Sequence, residues 1–363
     1  MCRHAVVHSP DRAAPRRALA KILEETGETQ EAIAVLQEGH RLFPEDAATA
    51  AALARLLGAA DDVDNALAIA RKWPHLPWSP ALSLKLLLQV GREGEAAQFE
   101  QSVAAANPGD LNLFQLRSRR LRDDPNALLQ LCDAVLDHHP GNSNAIYRKA
   151  VALARLGRGR EAEAWMGIDS FVWVGALPEL PGFVDDPNFR AKLRSEILAN
   201  PTLRADPIAH ATRNGLRTAV FPMPSDTAGA MLLRALRAAI ANYAATLSGE
   251  HPFARHRPAH AALNAWALVF RAQGRQRVHV HPAGWATGVY YVAAPGESER
   301  AGGQLRVGTL SPAAGIAPPW PVLSISPKPG QLVLFPSFIP HDTVPTGSES
   351  ERIAVAFDVV ASS

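Results

Sequence analysis

The chain carries two hydrophobic rhythms. From about Arg17 to Gly167, apolar residues, mostly Ala and Leu, recur at helical spacing and are interrupted by Gly, Pro and Asp, which predicts an all-helical region. From Ala262 onward the segments ALNAWALVF, RVHVH, TGVYYVA, GGQLRVG, QLVLFP and ERIAVAFDV are short and rich in β-branched and aromatic residues, with Gly and Pro turns between them. No helical pattern separates these strands, so an antiparallel jelly roll is expected rather than a parallel βαβ sheet. Residues 168–206 hold several prolines and two helical fragments and read as a bridge. Beyond them, Thr212 to Phe221 predicts a first strand and Ala228 to Leu247 a helix with one apolar face. The expected architecture is α+β and multidomain, with helical repeats over 1–167, the bridge over 168–206 and a β domain over 207–363.

The helical region repeats itself. The segments QEAIAVLQ, DNALAIAR, GEAAQFEQ, PNALLQLC and REAEAWMG align on Ala32, Ala66, Ala96, Ala127 and Ala162, at steps of 34, 30, 31 and 35 residues. Pro44, Pro108 and Pro140 follow their alanines by 12 or 13 positions, where each would stop the second helix of a hairpin. A small residue at a helix contact and a helix-ending Pro, at a period near 34, resemble tetratricopeptide repeats. The other reading is an irregular helical bundle. A repeat array presents a concave surface, so the resemblance implies docking of a protein or peptide.

Composition narrows the class. An apolar content of 47% with 20% charged residues describes a globular protein rather than a disordered one. Net charge is +2 with no long block of one sign, so no nucleic-acid surface is expected; the pairs Arg16-Arg17 and Arg119-Arg120 read as solvated helix faces. The two cysteines, Cys2 and Cys132, supply neither a disulfide framework nor a metal cluster, which suits a reducing cytoplasm. The first residues lack a signal-peptide core, and no stretch approaches the roughly 18 apolar residues of a membrane span. Oligomeric state is not readable, and a dimer would be compatible.

The chemistry concentrates near the C-terminus. In Arg277-Val278-His279-Val280-His281-Pro282, strand alternation puts both histidines on one face, where two imidazoles suit a metal ion; a plain polar strand face is the alternative. A third histidine, His341, falls 62 residues after His279 and follows the apolar strand QLVLFP, although a loop histidine beside a turn would look the same. Eleven residues later Arg352 opens a strand whose bulky residues Ile353, Val355 and Phe357 face one side, leaving Arg352, Ala354 and Ala356 on the other. The small side leaves room for a ligand. An arginine heading it can clamp a carboxylate with two parallel hydrogen bonds; a surface ion pair with Glu349 or Glu351 is the other reading.

The run HVHPAGWATGVYYV, then AGGQLRV, then PKPGQLVLFPSFIPHDTVPTGSESERIAVAF resembles the 2-oxoglutarate- and Fe(II)-dependent oxygenases, in particular the prolyl-hydroxylase-like branch and a bacterial and phage group with a Ser/Thr-Gly-Val-Tyr-Tyr motif. The resemblance covers roughly 100 residues. It implies a double-stranded β-helix of the jelly-roll or cupin-like kind, with His279 and His341 as iron ligands and Arg352 binding the 5-carboxylate of 2-oxoglutarate. It also implies that Tyr291 hydrogen-bonds that carboxylate and that Gly302-Gly303 makes the turn into the next strand. One departure stands out, because His281 occupies the place where the family usually has a carboxylate. The usual set for such oxygenases is two His and one carboxylate. The site is therefore three-His, two-His with water, or inactive, and all three histidines are taken as candidate ligands. Trp285 and Asn264 are candidates for the substrate side, although a tryptophan in an apolar run also suits a core.

The function this implies is an iron- and 2-oxoglutarate-dependent dioxygenase, an oxidoreductase that consumes O2, releases succinate and hydroxylates a protein or peptide side chain docked through the repeats. Two rivals remain. One is a catalytically inactive tetratricopeptide-like adaptor with a degenerate β-helix. The other is a three-His cupin-type dioxygenase without 2-oxoglutarate, which leaves Arg352 unexplained.

Overall fold

The computed structural model describes residues 6, 8–106, 108–205, 211–219, 221, 226–296, 302–347 and 349–361. Cys2 and Asp206, the expected end of the bridge, lie outside the described residues. The chain forms two compact units, Met1–Arg120 and Leu121–Ser363.

The first unit is built from helix hairpins. Its described helices are Ala13–Glu25, Thr29–Leu42, Ala47–Ala59, Val63–Ala70, Trp78–Gln89, Glu93–Ala106 and Leu111–Arg120. The aligned alanines Ala32, Ala66 and Ala96 are fully buried, as helix-contact positions should be, in one core with Leu36, Leu57 and Leu87. Gly58 lets two helices approach further, since a Cβ there would run into Leu86. The prolines act as expected: the helices end at Leu42 and Ala106, two residues before Pro44 and Pro108. The residue two beyond each proline then starts the next helix. Asp46 accepts from the Thr49 amide at 3.0 Å and Asp110 from the Leu113 amide at 3.0 Å.

The second unit opens with two more hairpin helices of the same kind, Pro125–His138 and Ser143–Arg155, followed by Gly159–Met166 and the short Ile168–Phe171. Asn142, two residues after Pro140, caps the second of them by accepting from the Ala145 amide at 2.9 Å. Ala162 is fully buried, whereas at the fourth alignment position Leu128 takes the buried place beside a partly exposed Ala127. These helices pack into the same body as the β strands. Ser143 donates to the carbonyl of Gly284 at 2.6 Å, His251 contacts the carbonyl of Trp165 at 3.2 Å, and Tyr243 donates to the carbonyl of Phe171 at 2.6 Å. The unit boundary therefore falls inside the repeat region.

Among the described residues ten strands follow in chain order: β1 Trp173–Ala176, β2 Arg204–Ala205, β3 Thr212–Arg217, β4 Ala261–Gln276, β5 Ala286–Ala293, β6 Leu305–Val307, β7 Leu323–Ile325, β8 Gln331–Pro336, β9 His341–Thr343 and β10 Arg352–Ala361. All pairings are antiparallel. Seven strands form one sheet in the order β1-β8-β5-β10-β4-β3-β2, and three form a second in the order β7-β6-β9. The expected helix over 228–247 is present as Ala228–Thr246, and the bridge contains the helix Pro187–Leu198.

Three local expectations change. The bridge also contributes β1, which pairs with β8 and extends the large sheet. The first expected strand runs only from Thr212 to Arg217, with Val220 outside the described residues. RVHVH is not a regular strand: only His279 forms a bridge, to His341, and the His281 amide donates to the Ser337 carbonyl at 2.9 Å before Pro282 removes the next donor. No helix among the described residues is long and apolar enough to cross a membrane.

Candidate metal and co-substrate site

Each of the three histidines is placed by backbone bonds. His279 and His341 exchange amide-to-carbonyl hydrogen bonds at 3.0 Å in both directions, and Val307 on β6 flanks His341 on its other side. Ring centroids lie 4.3 Å apart for His279 and His341, 4.9 Å for His279 and His281, and 5.2 Å for His281 and His341. One ligand atom from each histidine lies within 4.8 Å of the others, so the three expected ligands converge on one point.

The remaining ring nitrogens explain why this is a donor set. Nδ1 of His279 is 2.7 Å from the carbonyl of Arg277, Nδ1 of His341 is 3.0 Å from the carbonyl of Ile339, and Nδ1 of His281 is 3.0 Å from a carboxylate oxygen of Asp358. Carbonyls and carboxylates only accept, so each Nδ1 carries a hydrogen, and Nε2 is the nitrogen of each ring left to bind a metal. Burial reinforces neutrality. Desolvation, with the charge of His281 second, pushes His279 down to about 4, and desolvation with the charges of His279 and His281 holds His341 well below the usual histidine value. Three imidazoles with Nδ1 already engaged fit Fe(II) through Nε2, since iron accepts imidazole readily.

The histidines open onto a narrow inner cavity that Arg352, Tyr291, Ala354 and Ala356 also line. The small face of β10 lines this cavity, and Ile353, Val355 and Phe357 are buried on the other face. Arg352 is 2% exposed and donates through Nη1 to the carbonyl of Gly303 at 2.5 Å and through Nη2 to Thr343 Oγ1 at 3.2 Å. Its guanidinium lies 4.6 Å from the Phe270 ring centroid, and its Nε is buried without a hydrogen-bond partner. Neither glutamate neighbour neutralises it, because Glu351 pairs with Arg194 and Arg271. Among the described residues no carboxylate forms an ion pair with Arg352. A buried cation with a free donor and no counter-charge is costly unless a ligand supplies one. Burial and the neighbouring Arg352 act on Tyr291 in opposite directions; burial dominates and pushes its hydroxyl up to about 12, so it is a neutral hydrogen-bonding group.

The motif Thr287-Gly288-Val289-Tyr290-Tyr291 now has a physical reading. A Cβ on Gly288 would collide with Phe357 and Leu334, Tyr291 faces the cavity, and Tyr290 turns away to donate to Asp185 at 2.8 Å. Gly302-Gly303 makes the expected turn: a Cβ on Gly302 would strike the carbonyl oxygens of Pro345 and Thr346, and Gly303 has φ +82°.

Asn264 lines a wider outer cavity that also reaches His279 and His281. Trp285 lines neither cavity. Its indole N–H donates to the carbonyl of Phe253 at 3.0 Å and its ring stacks on Phe253 at 4.9 Å, so hydrophobic packing claims it. Two residues at the site were not among those singled out from the sequence. Trp266 lines both cavities and stacks on His281 with centroids 6.0 Å apart, and Asp358 holds the His281 ring. Period two along β10 could have found Asp358, which continues the face of Arg352, Ala354 and Ala356.

Residues 264–358 match the family model described as "Putative 2OG-Fe(II) oxygenase", and residues 13–56 match the tetratricopeptide repeat model. No curated protein matches the chain. Among solved structures, the chain is similar to a Pseudomonas putida prolyl-4-hydroxylase at 15% identity, over 54% of this chain and 96% of that one, with a TM-score of 0.38. A prolyl hydroxylase from Trichoplax adhaerens, solved with a hypoxia inducible factor peptide fragment, is similar at 14% identity over 57% and 92% of the two chains, with a TM-score of 0.38. The tetratricopeptide protein YrrB, described as having an unusual peptide-binding site, is similar at 17% identity over 46% and 91%, with a TM-score of 0.32. By the family models, residues 264–358 form a 2OG-Fe(II) oxygenase domain and residues 13–56 a tetratricopeptide repeat.

Proposed function

We propose that this protein is a 2-oxoglutarate-dependent hydroxylase of protein or peptide side chains, with His279, His281 and His341 holding Fe(II) and Arg352 and Tyr291 holding the co-substrate. The observation that carries the reading is Arg352, a buried guanidinium without a carboxylate partner among the described residues, in the same cavity as three converging imidazoles. Bound iron and 2-oxoglutarate would supply the oxidising chemistry, turning O2 and 2-oxoglutarate into succinate, CO2 and a hydroxylated product.

The protein's own residues do the positioning. Arg352 accepts the anionic end of the co-substrate, using the Nε that has no other partner, and Tyr291 offers a neutral hydroxyl beside it. The carbonyl of Gly303 and the hydroxyl of Thr343 fix the guanidinium before any ligand arrives, so little order is lost on binding. Apolar walls such as Leu305 and Phe335 keep water from this cavity. Substrate would enter through the outer cavity, past Asn264 and Trp266. The division of labour we propose is a repeat region through residue 167 that docks the target, a bridge over 168–206 and an oxygenase domain over 207–363, working in the cytoplasm.

The test is anaerobic titration with Fe(II) and then 2-oxoglutarate, followed by the visible metal-to-ligand charge-transfer band, in the wild type and in Arg352→Met. A band that needs both additions and is lost in the variant supports the site. Succinate release that rises with a peptide pool, together with a product heavier by one oxygen atom, supports hydroxylation. No iron retained and no band would favour the adaptor reading.

A further inference from the structure

Asp358 stands behind His281 in a way that no residue stands behind the other two ligands. Both carboxylate oxygens lie close to Nδ1 of His281, at 2.9 and 3.0 Å. Thr287 Oγ1 lies 2.8 Å from the nearer oxygen and 2.9 Å from the carbonyl of Phe357, so its single hydrogen is shared between the two acceptors and keeps the hydroxyl beside the carboxylate. Sheet register does the rest. Asp358 sits opposite Thr287 on β5 and opposite Asn264 on β4, between two strands rather than on an edge. Trp266 closes the other side of the His281 ring by stacking on it.

The asymmetry among the three ligands is informative. His279 and His341 give their Nδ1 hydrogens to neutral backbone carbonyls, and only His281 gives its hydrogen to an anion. His281 also occupies the sequence position where related oxygenases usually place a carboxylate. Among the described residues, no lysine or arginine pairs with Asp358, and His281 is the side chain that meets its carboxylate through Nδ1. A carboxylate hydrogen-bonded to a ligating imidazole fixes its tautomer and makes it a stronger donor, and such partners are worth about 10–100-fold in metal affinity. We infer that Asp358 is a positioning residue that returns to the site, through His281, the negative charge that its ligand set lacks. The three-His centre then has the net charge of a two-His, one-carboxylate centre, with the anion displaced by one imidazole.

This inference rests on His281 being an iron ligand, and its test separates the two. Asp358→Asn keeps an oxygen that can accept from Nδ1 but removes the charge, and Asp358→Ala removes both. Co(II) affinity, measured by direct titration of the metal-free protein, needs no co-substrate. The expected result is a loss of about tenfold in Asp358→Asn and a larger loss in Asp358→Ala. Thermal midpoints of the metal-free Asp358→Asn and wild-type proteins should stay close. With Fe(II) and 2-oxoglutarate added, Asp358→Asn should move the charge-transfer band to shorter wavelength, because a more positive iron gives up its electron less readily.

Unchanged Co(II) affinity in Asp358→Asn would overturn the inference, whether or not Asp358→Ala loses affinity, because it would mean that charge plays no part. Affinity lost only in step with the thermal midpoint would assign Asp358 to the fold and overturn it too. If the wild type binds Co(II) but gives no band with Fe(II) and 2-oxoglutarate, the co-substrate reading fails while the Asp358 inference is still judged on Co(II). If the wild type binds no Co(II), both fall.

Discussion

Arg352 donates a hydrogen bond to Thr343, which lies two residues along β9 from His341. The proposed co-substrate clamp and a candidate metal ligand are therefore tied to one short strand. Replacing Arg352 by Met should weaken 2-oxoglutarate binding by at least about a hundredfold, roughly the 3 kcal/mol expected when one partner of a buried charge pair is removed. The same change removes an uncompensated buried cation, so the thermal midpoint of the ligand-free protein should hold steady or rise. Calorimetric titration and thermal melts measure the two effects. A fall in midpoint as large as the loss in binding would mean that Arg352 serves the fold.

The turn at Gly302 should be intolerant of a side chain. An alanine there meets the carbonyl oxygens of Pro345 and Thr346, backbone atoms that cannot swing aside, and a cost of about 2 kcal/mol is expected from overpacking. Because the neighbouring Gly303 carbonyl holds Arg352, Gly302→Ala should also weaken 2-oxoglutarate binding, whereas Gly296→Ala, in open space, should do neither. Urea unfolding and ligand titration of the two variants decide this.

Stability should fall as the medium turns acidic. Burial pushes His251 and His279 down to about 4 and holds His341 well below 6.5, so the folded protein keeps these rings neutral. In the unfolded chain they take up protons near 6.5. Between about pH 6.5 and 4 the unfolded state therefore binds more protons, and stability contributed above that window is lost as pH drops through it. Urea midpoints of the metal-free protein at pH 7 and pH 5 should differ in that direction, and a flat profile would show that the rings are hydrated.

In the helical unit, Asp46 caps the helix Ala47–Ala59 and pairs with Arg17. Asp46→Ala should cost about 1 kcal/mol through the lost cap. The charge-transfer band should be unaffected. A band lost together with the cap would contradict this.

Much of the site was legible because its chemistry is local or periodic. His279 and His281 stand two residues apart, and Arg352 heads a run whose small residues recur at every second position. The prolines of the repeats told where helices end because a pyrrolidine ring acts on its own chain. What stayed hidden depends on register between distant strands. Asp358 matters because β10 lies beside β5 and β4, and Trp266 because β4 brings it over the His281 ring, and neither pairing is written in the local sequence. Trp285 follows the core reading of the two its sequence allowed: its neighbourhood in sequence is the loop after His281, but its neighbourhood in space is Phe253 and Tyr243.

The hydrogen bond from Ser143 to the carbonyl of Gly284 joins a repeat-type helix to the loop that follows His281. Genetic exchange at residue 167, where the repeats stop in sequence, would leave the recipient without the groups that brace that loop. The repeats before 121 form a compact unit of their own, whereas the hairpin beyond shares a unit with the β strands. The chain is thus divided by its packing at a place that its repeat period does not mark.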